Sequence, residues 1–153
     1  WEHIMQGGGA YAFANNSGSG VEVILKEGVK AIPQYCFWYT TVKNIVLPDS
    51  LEWIGMGAFY NSGITGDFKT NNLKTLQNWA FRNHKFDTIW FDEQISYISP
   101  YALYAHLESG HHPCTSINVP VNVEIMYPGS FPAYLGNCGV PLVIPPKLKN
   151  IPT

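Results

Sequence analysis

Large apolar residues recur along this chain at a fixed interval of 22 positions. A ladder of phenylalanine and leucine keeps this interval, and three further ladders of aliphatic or aromatic residues run in step with it. The four ladders are Phe37, Phe59, Phe81 and Leu103; Ile32, Ile54, Leu76 and Ile98; Val29, Leu51, Leu73 and Ile95; and Val42, Ile64 and Phe86. Because four ladders in one frame do not arise by chance, the pattern predicts a solenoid whose coils bury their apolar sides against one another.

The ladders continue beyond this regular region with longer steps. Leu103 to Phe131 is a step of 28, and the six extra positions fall in the segment 107–116, which predicts a loop bulging from one coil. Upstream, Phe13 stands 24 residues before Phe37 and is interpreted as a degenerate first rung. We therefore expect the whole chain, 1–153, to form one domain of about six coils. Residues 1–20 are expected to form an irregular N-terminal cap, and residues 140–153 an incomplete last coil.

Each repeat also holds a short alternating triplet. An inward apolar residue, an outward residue and a second inward residue recur at 23–25, 45–47, 89–91, 117–119 and 142–144. This alternation predicts a short strand whose middle residue faces solvent. The segment from Ile54 to Phe59 has apolar residues at helical-turn spacing but is too short for a stable free helix. We expect it to close the coil as a turn, a 3-10 turn or a single helical turn.

The repeat after residue 63 departs from the pattern. Asp67 falls where a core residue is expected, and Phe68 comes one place late. The mismatch predicts a bulge after Gly63 or Gly66. Such a bulge would displace Lys69 and open a shallow notch beside it.

The best copy of the repeat, from Ile45 to Phe59, has the form Ile-x-Leu-Pro-x-Ser-Leu-x-x-Ile-Gly-x-x-Ala-Phe. This pattern resembles the BspA-like leucine-rich repeat family over roughly residues 21–153. The resemblance implies an α/β repeat solenoid, a right-handed coil with one short-stranded parallel sheet and turns, 3-10 turns or one-turn helices opposite it. It also implies a secreted or cell-surface protein, typically bacterial, with adhesion or binding roles and no catalysis. The family commonly has a cysteine three residues after the phenylalanine; this chain has Thr40, Ser62, His84, His106 and Tyr134 there.

Composition narrows the possible partners. Charged residues make up 13% of the chain and the formal net charge is -2, which argues against nucleic-acid binding because that requires clustered Lys and Arg. No apolar run approaches the ~18 residues of a membrane span, so we expect no membrane insertion. No phosphate loop, dinucleotide fingerprint or calcium loop is found in the sequence. We therefore expect no cofactor, no metal and no enzymatic activity.

The cysteine and histidine residues could serve in catalysis, in a disulfide, in metal binding or only in packing. Cys36 lies on a core ladder, where a thiol is inert, so a nucleophilic role is disfavoured. Cys114 and Cys138 fall near equivalent places in successive coils, and either a disulfide or two reduced core cysteines is compatible with that spacing. The histidines at 106, 111 and 112 fit no standard zinc spacing. His84 is expected to be solvated at the end of a turn.

The outward side of the predicted strands is the candidate binding surface. Trp90 is the one large aromatic residue on this row, and aromatic residues give large contact area at low entropic cost. We expect a ligand to meet Asn44, Val46, Trp90, Asp92 and Asn118. The ligand is expected to be a protein; a surface glycan, or a spacer role with no ligand, are the alternatives. The aromatic residues of the turn segments are expected to pack against the neighbouring coil; they are Trp53, Trp79, Tyr97 and Tyr101.

Overall fold

A computed structural model shows coils of parallel strands stacked on one another. The structure describes residues 11–104, 114–130 and 143–150. The strands there are β1 (Val21–Ile24), β2 (Ala31–Ile32), β3 (Val42–Val46), β4 (Trp53–Ile54), β5 (Thr65–Lys69), β6 (Thr75–Leu76), β7 (Lys85–Trp90), β8 (Tyr97–Ile98) and β9 (Ser116–Ile117). Ile32, Ile54, Leu76 and Ile98 pair in turn at the 22-residue interval. The solenoid predicted from the ladders is therefore confirmed, with about four regular coils in the described part.

The strands form three parallel sheets rather than the single sheet expected. A four-stranded sheet runs in the order β2-β4-β6-β8, while β1-β3 and β5-β7-β9 form separate sheets. The alternating triplets predict the strands of the two smaller sheets but none of β2, β4, β6 and β8, which are two residues each and too short to show an alternation of their own. Those short strands lie in segments that we expected to belong to the turns. They pair only because the adjacent coil places a matching backbone beside them.

The segments that close the coils are turns, and the described residues contain no helix. The closing turns up to residue 83 each have two residues with positive φ, as in Gly57 (φ 59°) and Asn61 (φ 53°). The backbone N–H groups alternate in direction: Ala58 donates within its turn to Gly55, whereas Phe59 donates across to Ala80 at 2.7 Å. A helix would direct all of these groups along its own chain, so this alternation explains why the helical possibilities are not observed. The described part of the chain accordingly has no helix that could cross a membrane.

The core consists of the ladders that the sequence predicts. Phe59, Phe81 and Leu103 are fully buried, and Phe37 is 7% exposed. The rings of Phe37, Phe59 and Phe81 stack nearly parallel with centroids 4.9 Å apart at each step. Phe13 stacks on Phe37 at 5.3 Å, which confirms it as the first rung although it is 61% exposed.

The irregular repeat contains the bulge predicted from its sequence. The register between β5 and β7 shifts between Gly66 and Asp67, and Gly66 has a φ of 84°. At this shift Gly66 pairs with Phe86 and Asp67 with Thr88, so the register skips Asp87 of β7. Asp67 is exposed, and Phe68 lies in the core, where it is 1% exposed. Phe68 then pairs with Ile89 at an offset of 21 residues, so core residues face each other again on the far side of the shift.

The last triplet does not follow the alternation. Ile144 was expected to face inward, but it is 46% exposed, and residues 143–145 do not form a strand. Leu148 nevertheless packs partly against the core. It follows Ile95 and Val123 by steps of 28 and 25 residues, so it extends the ladder of Val29, Leu51, Leu73 and Ile95 into this coil.

Candidate functional site

The sheet face is the outward side of β1, β3, β5, β7 and β9. Alternation along each strand turns one row of side chains to solvent, and the neighbouring strands hold that row in register. Ile24 pairs with Val46, and Lys69 pairs with Trp90. Three of these side chains are apolar and about half exposed: Ile24 at 53%, Val46 at 47% and Trp90 at 52%.

Trp90 faces solvent because its neighbours in the strand are fixed in the core. Ile89 and Phe91 are buried at 0% and 1% exposure, so the residue between them must point outward. The outward orientation predicted for Trp90 is thereby confirmed. Its role in binding stays a prediction.

A cleft interrupts the sheet face between β3 and β5. The two strands belong to different sheets and share no strand pairing, and the register shift at Gly66 lies in β5 on the far side of the cleft. The resulting cavity is about 220 Å³ and is lined by Ile45, Val46, Leu47, Asp67, Phe68, Lys69 and Asn71. It lies where the notch was predicted, between the exposed Val46 on one side and the paired Lys69 and Trp90 on the other.

Two of the five candidate binding residues are occupied in holding coils together. Asp92 accepts hydrogen bonds from the Thr70 hydroxyl at 2.8 Å and from the backbone N–H of Gln94 at 2.6 Å. The Asn118 amide bonds both backbone groups of Phe91, each at 2.7 Å. Their polar atoms therefore stabilise turns and strand ends of the preceding coils.

The remaining polar candidate, Asn44, is exposed and lies on a second outward row beside the first. Its side chain approaches Glu22 in the preceding coil, with amide nitrogen and carboxylate oxygen 3.5 Å apart. Asp67 occupies the same row and accepts a hydrogen bond from the Thr88 hydroxyl at 2.7 Å. Asp67 and Lys69 were absent from the predicted binding set, although the bulge places both at the cleft.

A second surface, which we call the turn face, comprises the turns at 34–39, 56–61, 78–83 and 100–103 with the residues that follow them. Trp38, Tyr60, Arg82 and Tyr104 form a ladder on it at the 22-residue interval. Trp38 stacks on Tyr60 at 4.1 Å. The Arg82 guanidinium carbon lies 5.3 Å from the Tyr60 ring centre and 5.5 Å from that of Tyr104. Sequence reasoning missed this ladder, whose signal was the regular interval itself.

The aromatic residues of the turn segments differ in how deeply they are buried. Tyr97 is 38% exposed and Tyr101 is 40% exposed, whereas Trp53 and Trp79 are half-buried. Both tyrosines nevertheless contact the neighbouring coil as expected, Tyr97 at Tyr127 with ring centres 5.6 Å apart and Tyr101 over Gly129.

The nucleophilic and titratable core residues serve packing. Cys36 is buried, and burial raises the pKa of its thiol to about 11, which suppresses the reactive thiolate. His84 is 1% exposed, so the solvated position expected for it is wrong. It occupies the same buried row as Thr40 and Ser62. Its Nδ1 accepts from the Phe86 N–H at 3.1 Å and its Nε2 lies 3.2 Å from the Leu103 carbonyl.

The other cysteine and histidine alternatives fall partly outside the described residues. Cys114 is buried, but Cys138 and the histidines at 106, 111 and 112 lie beyond the described ranges. Among the described residues, no group of three or more His, Cys, Asp or Glu side chains converges as a metal site would require.

Comparison with known proteins identifies the repeat. Six copies of the model described as "BspA type Leucine rich repeat region" match residues 8–134. No curated protein matches the chain, and no solved structure matches it. The match covers most of the chain.

Proposed function

This chain belongs to the BspA type leucine-rich repeat family, and we propose that it is a non-enzymatic module that binds a protein partner through its sheet face. The observation that carries the proposal is the half-exposed Trp90 beside the cleft between β3 and β5. A tryptophan held rigidly on a strand gives a partner a large contact area with little loss of side-chain entropy. The repeat architecture supports this role, since stacked coils present an extended surface in fixed register.

The mixture of groups on the sheet face favours a protein over the alternatives. Exposed apolar side chains on one face often mark an interaction site; Ile24 and Val46 on one side of the cleft and Trp90 on the other are each about half exposed. A spacer would present a uniformly polar face, whereas these three exposed residues are apolar. Asp67 and Lys69 add charges of both signs at the cleft, which suits the polar rim of a protein interface.

We place the module on the cell surface or in the extracellular space. The support is the family resemblance, and the partner would then be a host, matrix or neighbouring-cell protein. Limited protease treatment of intact cells that produce the full-length native protein tests this location. The domain should be cleaved from intact cells while a cytoplasmic marker stays whole. Protection equal to that of the marker would contradict the proposal.

The binding experiment screens the purified chain against an array of extracellular-matrix and cell-surface proteins, followed by biolayer interferometry on the partners found. Trp90→Ala should weaken binding by about 2 kcal/mol, or roughly 30-fold, because interface energy concentrates in a few aromatic anchors. Tyr97→Ala is the matched control, since it removes another exposed aromatic residue from a different sheet. Val46→Ala should give a smaller loss.

Two results would contradict the proposal. The first is that no protein on the array binds. The second is that Trp90→Ala binds as tightly as the original chain while Tyr97→Ala loses affinity, since this would move the site to the other sheet.

A further inference from the structure

The turn face contains a second cavity, separate from the sheet face. It measures about 300 Å³ and is lined by Trp79, Arg82, Tyr101 and Tyr104. These residues are two pairs at the 22-residue interval, so adjacent coils contribute one aromatic wall each. Tyr101 is 40% exposed and Trp79 is half-buried, which leaves aromatic surface accessible from solvent.

Arg82 is the charged group of this cavity and is held in a fixed position. Its guanidinium lies between the rings of Tyr60 and Tyr104, at 5.3 and 5.5 Å. Contacts of this kind with two rings restrict the arginine side chain and stack its flat surface. Its Nε is shielded from solvent and makes no hydrogen bond. The ion pairs of the described residues all involve lysine, so the charge of Arg82 has no carboxylate partner there.

Glycine in the next coil makes room for one wall of the cavity, the ring of Tyr101. Gly129 occupies the position equivalent to Tyr101, with a φ of 67°. A Cβ at Gly129 would collide with the Tyr101 ring, so the absence of a side chain lets that ring lie over the following coil. Tyr101 meets Tyr104 edge-on at 5.7 Å. Trp79, which is half-buried, lines the cavity together with these two rings.

We propose that this cavity binds an acidic saccharide, a sugar residue that carries a carboxylate. The planar guanidinium of Arg82 suits a carboxylate, which it can bind through two parallel hydrogen bonds. The ring faces of Trp79 and Tyr101 suit the C–H side of a pyranose, whose hydroxyl groups stay hydrated in an open cavity. An acidic peptide side chain would engage Arg82 but would leave the aromatic walls uncovered. The observations therefore favour the sugar.

The test compares two ligands that differ only at the carboxylate, methyl β-glucuronide and methyl β-glucoside. Each is titrated into the 15N-labelled chain, and binding is followed through the Trp79 indole N–H signal, assigned with Trp79→Phe. The glucuronide should bind at least tenfold more tightly than the glucoside, since only the charged sugar pairs with Arg82. Its affinity should fall as salt is raised.

Substitutions locate the effect. Arg82→Gln should abolish the preference for the glucuronide, and Arg82→Lys should retain only part of it, because lysine keeps the charge but loses the planar fork. Trp90→Ala, on the sheet face, should leave both titrations unchanged. The site is independent of the proposed protein partner, so failure on one face leaves the other standing.

Three outcomes would overturn the proposal. They are equal affinity for the two sugars, no shift of the Trp79 signal with either sugar, and displacement of the glucuronide by a glutamate-containing tetrapeptide of equal or higher affinity. The comparison of the two ligands needs no substitution, so it remains decisive even if the Arg82 variants fail to fold.

Discussion

Replacing Phe81 by alanine tests the core on which both faces depend. Phe81 is fully buried and contacts Phe59 at 4.9 Å, Phe68 at 4.8 Å and Phe86 at 5.2 Å between ring centres. Phe→Ala in a core costs about 3–5 kcal/mol through lost burial and the cavity left behind. Each aromatic pair contributes about 0.5–1.5 kcal/mol beyond burial, though not additively. We therefore expect a loss near the upper end, about 4–5 kcal/mol.

The measurement is the free energy of unfolding from urea titration followed by circular dichroism. Because small domains are stable by only about 5–15 kcal/mol, Phe81→Leu is measured as well and should cost about 1.5 kcal/mol or less. The matched control is Phe13→Ala on the same ladder. Phe13 is 61% exposed and stacks on Phe37 alone, so we expect a cost of about 1 kcal/mol. Equal losses for the two alanine variants, or less than about 2 kcal/mol for Phe81→Ala, would refute the register of the core.

The remaining predictions concern single side chains. Asn118→Ala should lower the free energy of unfolding by about 1–3 kcal/mol, because two backbone groups lose their partner, whereas Trp90→Ala should leave the melting temperature nearly unchanged; the reverse ranking would contradict the assigned orientations. Cys36 should react with iodoacetamide at pH 8 roughly 100-fold more slowly in the folded chain than in urea, measured by peptide mass spectrometry, since its pKa is raised from 9.0 to about 11; equal rates would show an accessible thiol. Gly57→Ala should destabilise by about 1–3 kcal/mol, because its φ is 59° and its Cβ would come within 2.8 Å of a tyrosine ring; an unchanged urea midpoint would count against this.

The apolar ladders could be predicted from the sequence because burial is periodic in a solenoid. Each coil places the same side chains against its neighbours, so the interval between core residues equals the length of one coil. The same logic located the bulge, since Phe68 stands one position late and a strand that slips by one residue would turn its core side chains to solvent.

The four-stranded sheet β2-β4-β6-β8 and the conformation of the closing turns could not be predicted from the periodicity of apolar residues. Ile54 to Phe59 has the side-chain spacing of a helical turn, but from Gly57 to Ser62 the backbone N–H groups donate alternately to the next coil and within the turn. The partners in the next coil are 21 positions away, as in Phe59 to Ala80, and become available only when the coils stack. His84 was misplaced for a related reason, since a polar side chain was expected in solvent although Thr40 and Ser62 mark the same row as buried.

The candidate site was predicted in part. Alternation was sufficient to place Trp90 and Val46 outward, because that depends on the strand alone. It could not show that Asp92 and Asn118 bond backbone groups of neighbouring coils, which depends on how the turns meet. The apolar periodicity does not reveal the place of Arg82 between two tyrosine rings, because a charged residue interrupts an otherwise aromatic ladder.

Some exposed side chains of this solenoid form hydrogen bonds between coils, and others do not. The second group is the better place to test binding, because substituting those residues should not change stability. Removing Asp92 or Asn118 breaks bonds between coils, so any loss of binding in those variants would be mixed with a loss of stability. Trp90 is half exposed, and its removal leaves Ile89 and Phe91 buried on either side. Arg82 likewise rests on ring faces and forms no ion pair among the described residues. Trp90 on the sheet face and Arg82 on the turn face are therefore the positions where binding and stability can be separated experimentally.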